Sequence, residues 1–168
     1  RNIYLLGKKQ NPDRYAYTLG QYLEQSTIPP NNSWIVDILS PIRLRKNERC
    51  TDYLDWGFAF STLSQRIEVL NAISGGERKN KQEWLELKSF FQDPGQIQIN
   101  SHWKDWHRKS FTQKQFIPMG GIVGSSLIHP PNGLEKIWWR WWKTAELLHF
   151  GKGTTMGNGK IRTYSISR

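Results

Sequence analysis

The chain has 168 residues, 37% of them hydrophobic, and nine tryptophans and seven phenylalanines supply the bulk for one compact domain with an attached arm. Its formal net charge of +10 is uneven: residues 1–100 hold 13 Lys/Arg against 11 Asp/Glu, and residues 101–168 hold 11 against 3. That asymmetry suits a polyanion such as nucleic acid, while the single cysteine, Cys50, excludes an internal disulfide and a cysteine-cluster zinc site.

One cysteine fits a reducing compartment such as a bacterial cytoplasm. No apolar run approaches the roughly 20 residues of a membrane span. The run Ile137-Trp138-Trp139 is broken at once by Arg140. The chain starts at Arg1 rather than Met, which reads as a fragment, a processed product or part of a longer chain.

Residues 1–32 are polar and turn-rich, with Asn11-Pro12-Asp13 and Pro29-Pro30-Asn31-Asn32 as loop markers. They read as an entry arm or linker, in which Tyr15, Tyr17, Leu19, Tyr22 and Leu23 form a short element packed on the domain. The domain proper is expected over 33–168. Ser33–Leu39 alternates like a strand, with Trp34, Val36 and Ile38 on one face. Ser40-Pro41 ends or bends it, and Ile42 to Lys46 continues with a basic face that includes Arg43 and Arg45.

A helix is expected over 55–74, with Ala59, Leu63, Ile67, Leu70 and Ile73 as its apolar stripe and Gly75-Gly76 as its stop. A shorter helix is expected over Lys81–Gln92. Strands follow at Gln96–Trp103 and at Phe116–His129, the second interrupted by Gly120-Gly121 and Gly124. Between them lies a basic, turn-prone stretch. The last helix runs from about Leu134 to Leu148, with Leu134, Ile137, Trp138, Trp141, Ala145 and Leu148 as its stripe, Trp142 at the edge and Trp139 pointing away. A glycine-rich loop over 151–159 leads into a final strand, Lys160 to about Ser167. This order predicts an α+β, ferredoxin-like (RRM-like) βαββαβ domain with a four-stranded antiparallel sheet and two main helices on one face. The opposite face is left to meet RNA.

The loop carries the strongest local signal. Gly151, Gly153, Gly157 and Gly159 permit close backbone approach to phosphate oxygens, while Lys152, Thr154, Thr155 and Lys160 add charge and hydroxyls. Its spacing matches neither the nucleoside-triphosphate loop nor the dinucleotide fingerprint. A plain helix-to-strand connection explains the glycines equally well. Upstream, Arg108, Lys109 and Lys114 interleave with Trp103 and Trp106, a mixture that suits phosphate contact with base stacking or, alternatively, a solvated hairpin arm. The four histidines, at 102, 107, 129 and 149, lack metal-site spacing, so no metal and no cofactor are expected. His149, directly before the loop, is placed either to act as a general base or acid or to bond the helix's last carbonyls.

Taken together, these residues resemble a known family. Asp105, Arg108, Ser110, Gln113 and Lys114, then Met119-Gly120-Gly121 and Gly124, then Leu147 through Thr155 with Gly157 and Gly159-Lys160, are similar to the C-terminal domain of CRISPR-associated repeat-processing endoribonucleases of the RAMP superfamily. Ile38 through Leu44 resembles the family's first strand, so the likeness spans about 33–167. Family members usually carry two ferredoxin-like domains, and this chain looks like the second.

The resemblance implies CRISPR repeat RNA as partner and metal-independent cleavage of precursor CRISPR RNA. In that chemistry a ribose 2′-OH attacks the adjacent phosphate, leaving a 2′,3′-cyclic phosphate. It also implies other CRISPR-associated domains in the same chain, namely an N-terminal RAMP domain or a fused reverse transcriptase and integrase. His149 is the one histidine whose place in the family pattern is matched; in many members the base comes from the first domain. Two other readings stand beside this one: a non-catalytic RNA-binding RAMP subunit, and a basic DNA-binding domain indifferent to 2′-OH groups.

Overall fold

The computed structural model describes residues 3–5, 8–10, 19–26, 33–73, 75, 82, 85, 96–110, 112 and 114–166. In chain order the strands are β1 (Ile3–Leu5), β2 (Lys8–Gln10), β3 (Trp34–Ile42), β4 (Arg45–Lys46), β5 (Arg49–Cys50), β6 (Gln96–Lys104), β7 (His107–Ser110), β8 (Gln115–Pro118), β9 (Gly121–His129) and β10 (Ile161–Ser165). The helices are α1 (Leu19–Gln25), α2 (Trp56–Ile73) and α3 (Glu135–Leu148).

Strands β10, β3, β9 and β6 form one antiparallel sheet in that order. Each long connection crosses over a neighbouring strand, which is the split βαβ arrangement of the ferredoxin-like fold. The two main helices and three of the four expected strands appear near their expected bounds, and the fourth is divided. Alternation dictates which face is covered: Trp34, Val36 and Ile38 of β3, with Ile122 and Ile128 of β9 and Ile161 of β10, turn inward. There they meet Trp56, Ala59, Phe60 and Leu63 of α2 and Trp138, Trp142 and Ala145 of α3. Phe60 lies edge-on to Trp138, Trp142 and Phe150 at centroid distances of 5.2, 4.7 and 5.4 Å. Such tilted contacts suit the ring quadrupole and fill space that aliphatic side chains would leave open. The indole of Trp56 satisfies the buried Ser126 hydroxyl at 3.1 Å.

Several expectations need correction. Trp139 does not point away: it is buried against Trp34, 5.2 Å between ring centroids, under the Lys143 ammonium. Trp142 is fully buried, whereas Ile137 is exposed and Trp141 only partly covered. The buried face of α3 is therefore rotated by about one residue, onto Trp138, Trp139 and Trp142. On α2, Leu70 and Ile73 are exposed, since burial ends after Ser64 and only Ile67 packs further along. Ser40-Pro41 bends β3 without ending it: the pairing with β9 shifts between Ile38 and Ile42, and the strand continues. The stretch expected as one strand from Phe116 divides at Met119-Gly120, and its first part leaves the sheet to pair with β7. The basic turn-prone segment is thus a two-stranded ribbon, β7–β8. A second small hairpin, β4–β5, precedes α2.

The entry arm contributes a β1–β2 hairpin that alternation did not announce, and α1, whose Tyr22 hydroxyl reaches Glu146 of α3. Tyr15 and Tyr17 lie outside the described residues. So does most of the helix expected at 81–92, of which Gln82 and Leu85 are helical. Among the described residues no helix is long and apolar enough to cross a membrane.

Candidate RNA-binding site

The glycine-rich loop is anchored on the bend of β3. Lys152 N–H donates to Arg43 O at 2.8 Å and Gly159 N–H to Pro41 O at 3.0 Å. The Ser40 hydroxyl donates to Gly157 O at 2.6 Å and accepts from Lys160 N–H at 2.9 Å. Inside the loop, Met156 N–H donates to Gly153 O and Gly157 N–H to Thr154 O, forming one turn of 3-10 helix over Thr154–Met156. Phe150, fully buried, donates its N–H to Gly159 O and pins the loop's two ends together.

This geometry explains part of the glycine pattern. Gly159 has φ of +76°, and a Cβ there would run into the Phe150 carbonyl oxygen. Gly151 has φ of +74° and lies against the Arg43 carbonyl in the same way. The amides of Lys152, Met156, Gly157, Asn158, Gly159 and Lys160 all donate within the fold. The loop consequently shows its surroundings side chains more than backbone donors: Lys152, Thr155 and Lys160 are exposed and Thr154 is half-buried.

His149 ends α3 with φ of 63°, and its backbone N–H closes the last turn on Ala145 O at 2.8 Å. Burial holds its imidazole pKa below the ordinary 6.5, with Lys160 and Arg66 pushing the same way. The Asn158 backbone carbonyl, accepting from the ring, opposes them. A neutral ring that gives one N–H to a carbonyl keeps its other nitrogen as a proton acceptor, which is the form a general base needs.

The ribbon comes to the same place. Arg108 of β7 brings Nη1 to 3.5 Å from the Met156 sulfur. Lys109 and Phe116 are paired across the ribbon and exposed, and Lys114 sits in its turn with φ of 51°. Arg43 reaches Met119 Sδ and Cys50 Sγ, each at 3.8 Å. Arg45 instead ties its own hairpin turn, donating from Nε to Glu48 O at 3.1 Å. The structure therefore joins Arg108, His149, Lys152, Thr154 and Lys160 around one loop, which Arg43 meets through its backbone carbonyl. It shows no contact from Arg45, Lys109 or Lys114 to that loop. Sequence reasoning missed Arg66, whose Nη1 donates to Thr154 Oγ1 at 2.5 Å from α2. No spacing rule links two residues so far apart in the chain.

The ion pair seen among the described residues, Lys143 with Glu146 at 2.8 Å, lies away from this loop. Among the described residues no carboxylate pairs with the cations around the loop. The open face of the sheet is less basic: Ile35, Gln98, Asn100, Ser125 and Leu127 line a shallow groove on it. Among the described residues no three His, Cys, Asp or Glu side chains are grouped to hold a metal ion.

Fold and site define a ferredoxin-like domain with a cationic, carboxylate-poor loop region at one end of its sheet. The chain belongs to the CRISPR-associated endoribonuclease Cas6 family, whose model matches residues 36–161. Its structure is similar to Thermus thermophilus Cas6, with a TM-score of 0.59 and 16% identity over 88% of this chain and 58% of that one. A Cas6 product complex aligns with a TM-score of 0.55 and 18% identity, over 89% of this chain and 57% of the other. A Cas6-RT-Cas1–Cas2 complex aligns with a TM-score of 0.60 and 15% identity, over 90% of this chain and 17% of that one. This chain thus spans a little over half the length of the Cas6 chains it resembles. No curated protein sequence matches it.

Proposed function

We propose that residues 33–168 form the C-terminal RNA-binding domain of a longer Cas6 protein, that residues 1–32 lead into it, and that the domain binds CRISPR repeat RNA. The observation that carries this reading is the meeting of Arg108 and Met156, which places the basic ribbon beside the glycine-rich loop. In this reading Lys152, Thr154, Thr155, Lys160, Arg43 and Arg108 contact phosphates, and Gly151, Gly153, Gly157 and Gly159 give the loop its shape. Lys109, Lys114 and Arg45 extend the basic surface to RNA further along. Phosphate contacts of this kind set affinity and register, whereas bases are read elsewhere.

The reaction is metal-independent cleavage of precursor CRISPR RNA. The 2′-OH oxygen bonds to the neighbouring phosphorus, the bond to the 5′-oxygen breaks, and a 2′,3′-cyclic phosphate and a 5′-OH result. His149 takes the 2′-proton, the leaving 5′-oxygen takes a proton from water, and the lysines stabilise charge on the phosphorane. The protein acts in the cytoplasm, with a reverse transcriptase and integrase in the same chain as one setting.

The test is incubation of the full-length protein with a repeat RNA in EDTA, with a matched RNA carrying a single 2′-deoxy at the cleavage position. Cleavage of the first and survival of the second supports the reading. A second reading is favoured by the 58% coverage of Thermus thermophilus Cas6: the domain binds RNA and the base comes from elsewhere in the protein. It predicts tight RNA binding with no cleavage change on His149 substitution. Equal affinity for DNA of the same sequence would defeat both.

A further inference from the structure

Arg66 reaches the glycine-rich loop from α2 and Arg43 meets it through its backbone, and in each the Nε–H is shielded from solvent without an acceptor among the described residues. Among the described residues the terminal nitrogens of Arg43 meet two sulfurs. Arg66 meets the Thr154 hydroxyl. Lys160 and Arg66 each lie close enough to the His149 imidazole to act on it. Asn158 is 2% exposed, yet its side-chain amide nitrogen also lacks an acceptor. Among the described residues no carboxylate pairs with Arg66 or Lys160.

Such a group is electrostatically incomplete. It gathers a guanidinium, an ammonium and an amide around one neutral acceptor, the Thr154 hydroxyl oxygen. Shielding a cation without a counter-charge is unfavourable, and an anion with several oxygens corrects it. The guanidinium fork matches phosphate oxygens in pairs, which an ammonium does not.

We propose that Arg66 is a phosphate ligand, forming with Thr154, Asn158 and Lys160 an anion seat on the α2 side of the loop that takes one RNA backbone phosphate. This rests on the reading that the loop faces RNA. The competing role for Arg66 is a strut, in which the guanidinium merely ties Thr154 to α2.

Three variants of the full-length protein separate these roles. Arg66→Gln removes the charge but keeps a donor for Thr154. Arg66→Lys keeps the charge and loses the fork. Thr154→Ala breaks the tie and leaves the charge. Each is compared with wild type for binding to a repeat RNA over a salt series, after thermal unfolding has shown that it folds. The expected result for Arg66→Gln is about a tenfold or greater loss of affinity and a salt slope shallower by up to about one unit. Arg66→Lys is expected to weaken binding at an unchanged slope, and Thr154→Ala to leave the slope unchanged. Wild-type affinity and slope in Arg66→Gln, with both still lowered in the Lys152→Ala/Lys160→Ala protein, would make Arg66 a strut and leave the RNA reading standing. If the double-lysine variant is also unchanged, both ideas fail. Where Arg66→Gln does not fold, Arg66→Lys decides: full wild-type affinity overturns the seat.

Discussion

Arg108 and Met156 meet at 3.5 Å across the gap between a ribbon and a loop that are separated by 48 positions in the chain. The contact orients the guanidinium stem without neutralising it, because a thioether is a weak acceptor. Among the described residues Arg108 meets no carboxylate, and a cation held in place but unpaired is suited to a mobile polyanion.

Replacing Lys152 and Lys160 together by alanine should weaken repeat-RNA binding and flatten its salt dependence. Each lost phosphate contact removes roughly one unit or less from the slope. Both side chains are exposed, so folding should be unaffected. Filter binding across a salt series gives the answer; an unchanged slope puts the RNA on another surface.

Glycine substitutions should divide the loop sharply. Gly159→Ala meets both a positive φ and the Phe150 carbonyl, so about 2 kcal/mol or more of stability should be lost. Gly157→Ala, with φ of +86° and nothing within 4 Å of its added carbon, should lose only about 1 kcal/mol. Urea unfolding of the two proteins measures the difference, and equal losses would mean that the loop is not docked as described.

His149→Ala should slow cleavage more than it weakens binding. General acid–base groups typically contribute about a hundredfold to ten-thousandfold. Single-turnover rates in the full-length protein are the relevant measurement. A rate within a few-fold of wild type assigns the base to another part of the protein. Matching losses in rate and affinity would indicate that the imidazole organises the loop through the Asn158 carbonyl.

The same histidine should make stability depend on pH. Burial, then Lys160 and Arg66, lower its pKa in the folded state, so the unfolded chain binds the proton more readily. Its contribution to stability is therefore complete above the ordinary histidine value of 6.5 and declines as the pH falls below it. His149→Gln should flatten the urea midpoint in that window relative to wild type. A midpoint that falls equally in both proteins assigns the dependence to other groups.

Trp139→Ala tests the rotated helix. Removing a ring buried between Trp34 and Lys143 should cost roughly 3–5 kcal/mol, as large core truncations do. The equivalent change at exposed Ile137 should be nearly neutral. Denaturant melts of the two proteins rank the positions, and the reverse order would restore the stripe read from spacing.

The sequence by itself determined the order of elements and the inward face of each sheet strand. Period-two alternation leaves Trp34, Val36 and Ile38 no other side once one face is covered. It also determined the place of the glycine-rich loop and the basic character of the second half. Helix rotation was less legible. A helix with four tryptophans in five positions has two adjacent faces of similar hydrophobicity, and only the packing of Trp139 on Trp34 chose it over Ile137. The break at Met119-Gly120 was undecided for a related reason: the residues of β8 alternate as well in a ribbon as in a sheet. The tertiary structure alone brought Arg66 to Thr154 and Arg108 to Met156, since contacts between distant segments leave no periodic trace. It also showed that most loop amides are used within the fold, because hydrogen bonds to Pro41 and Arg43 depend on a bend in β3 that Ser40-Pro41 made credible but could not direct.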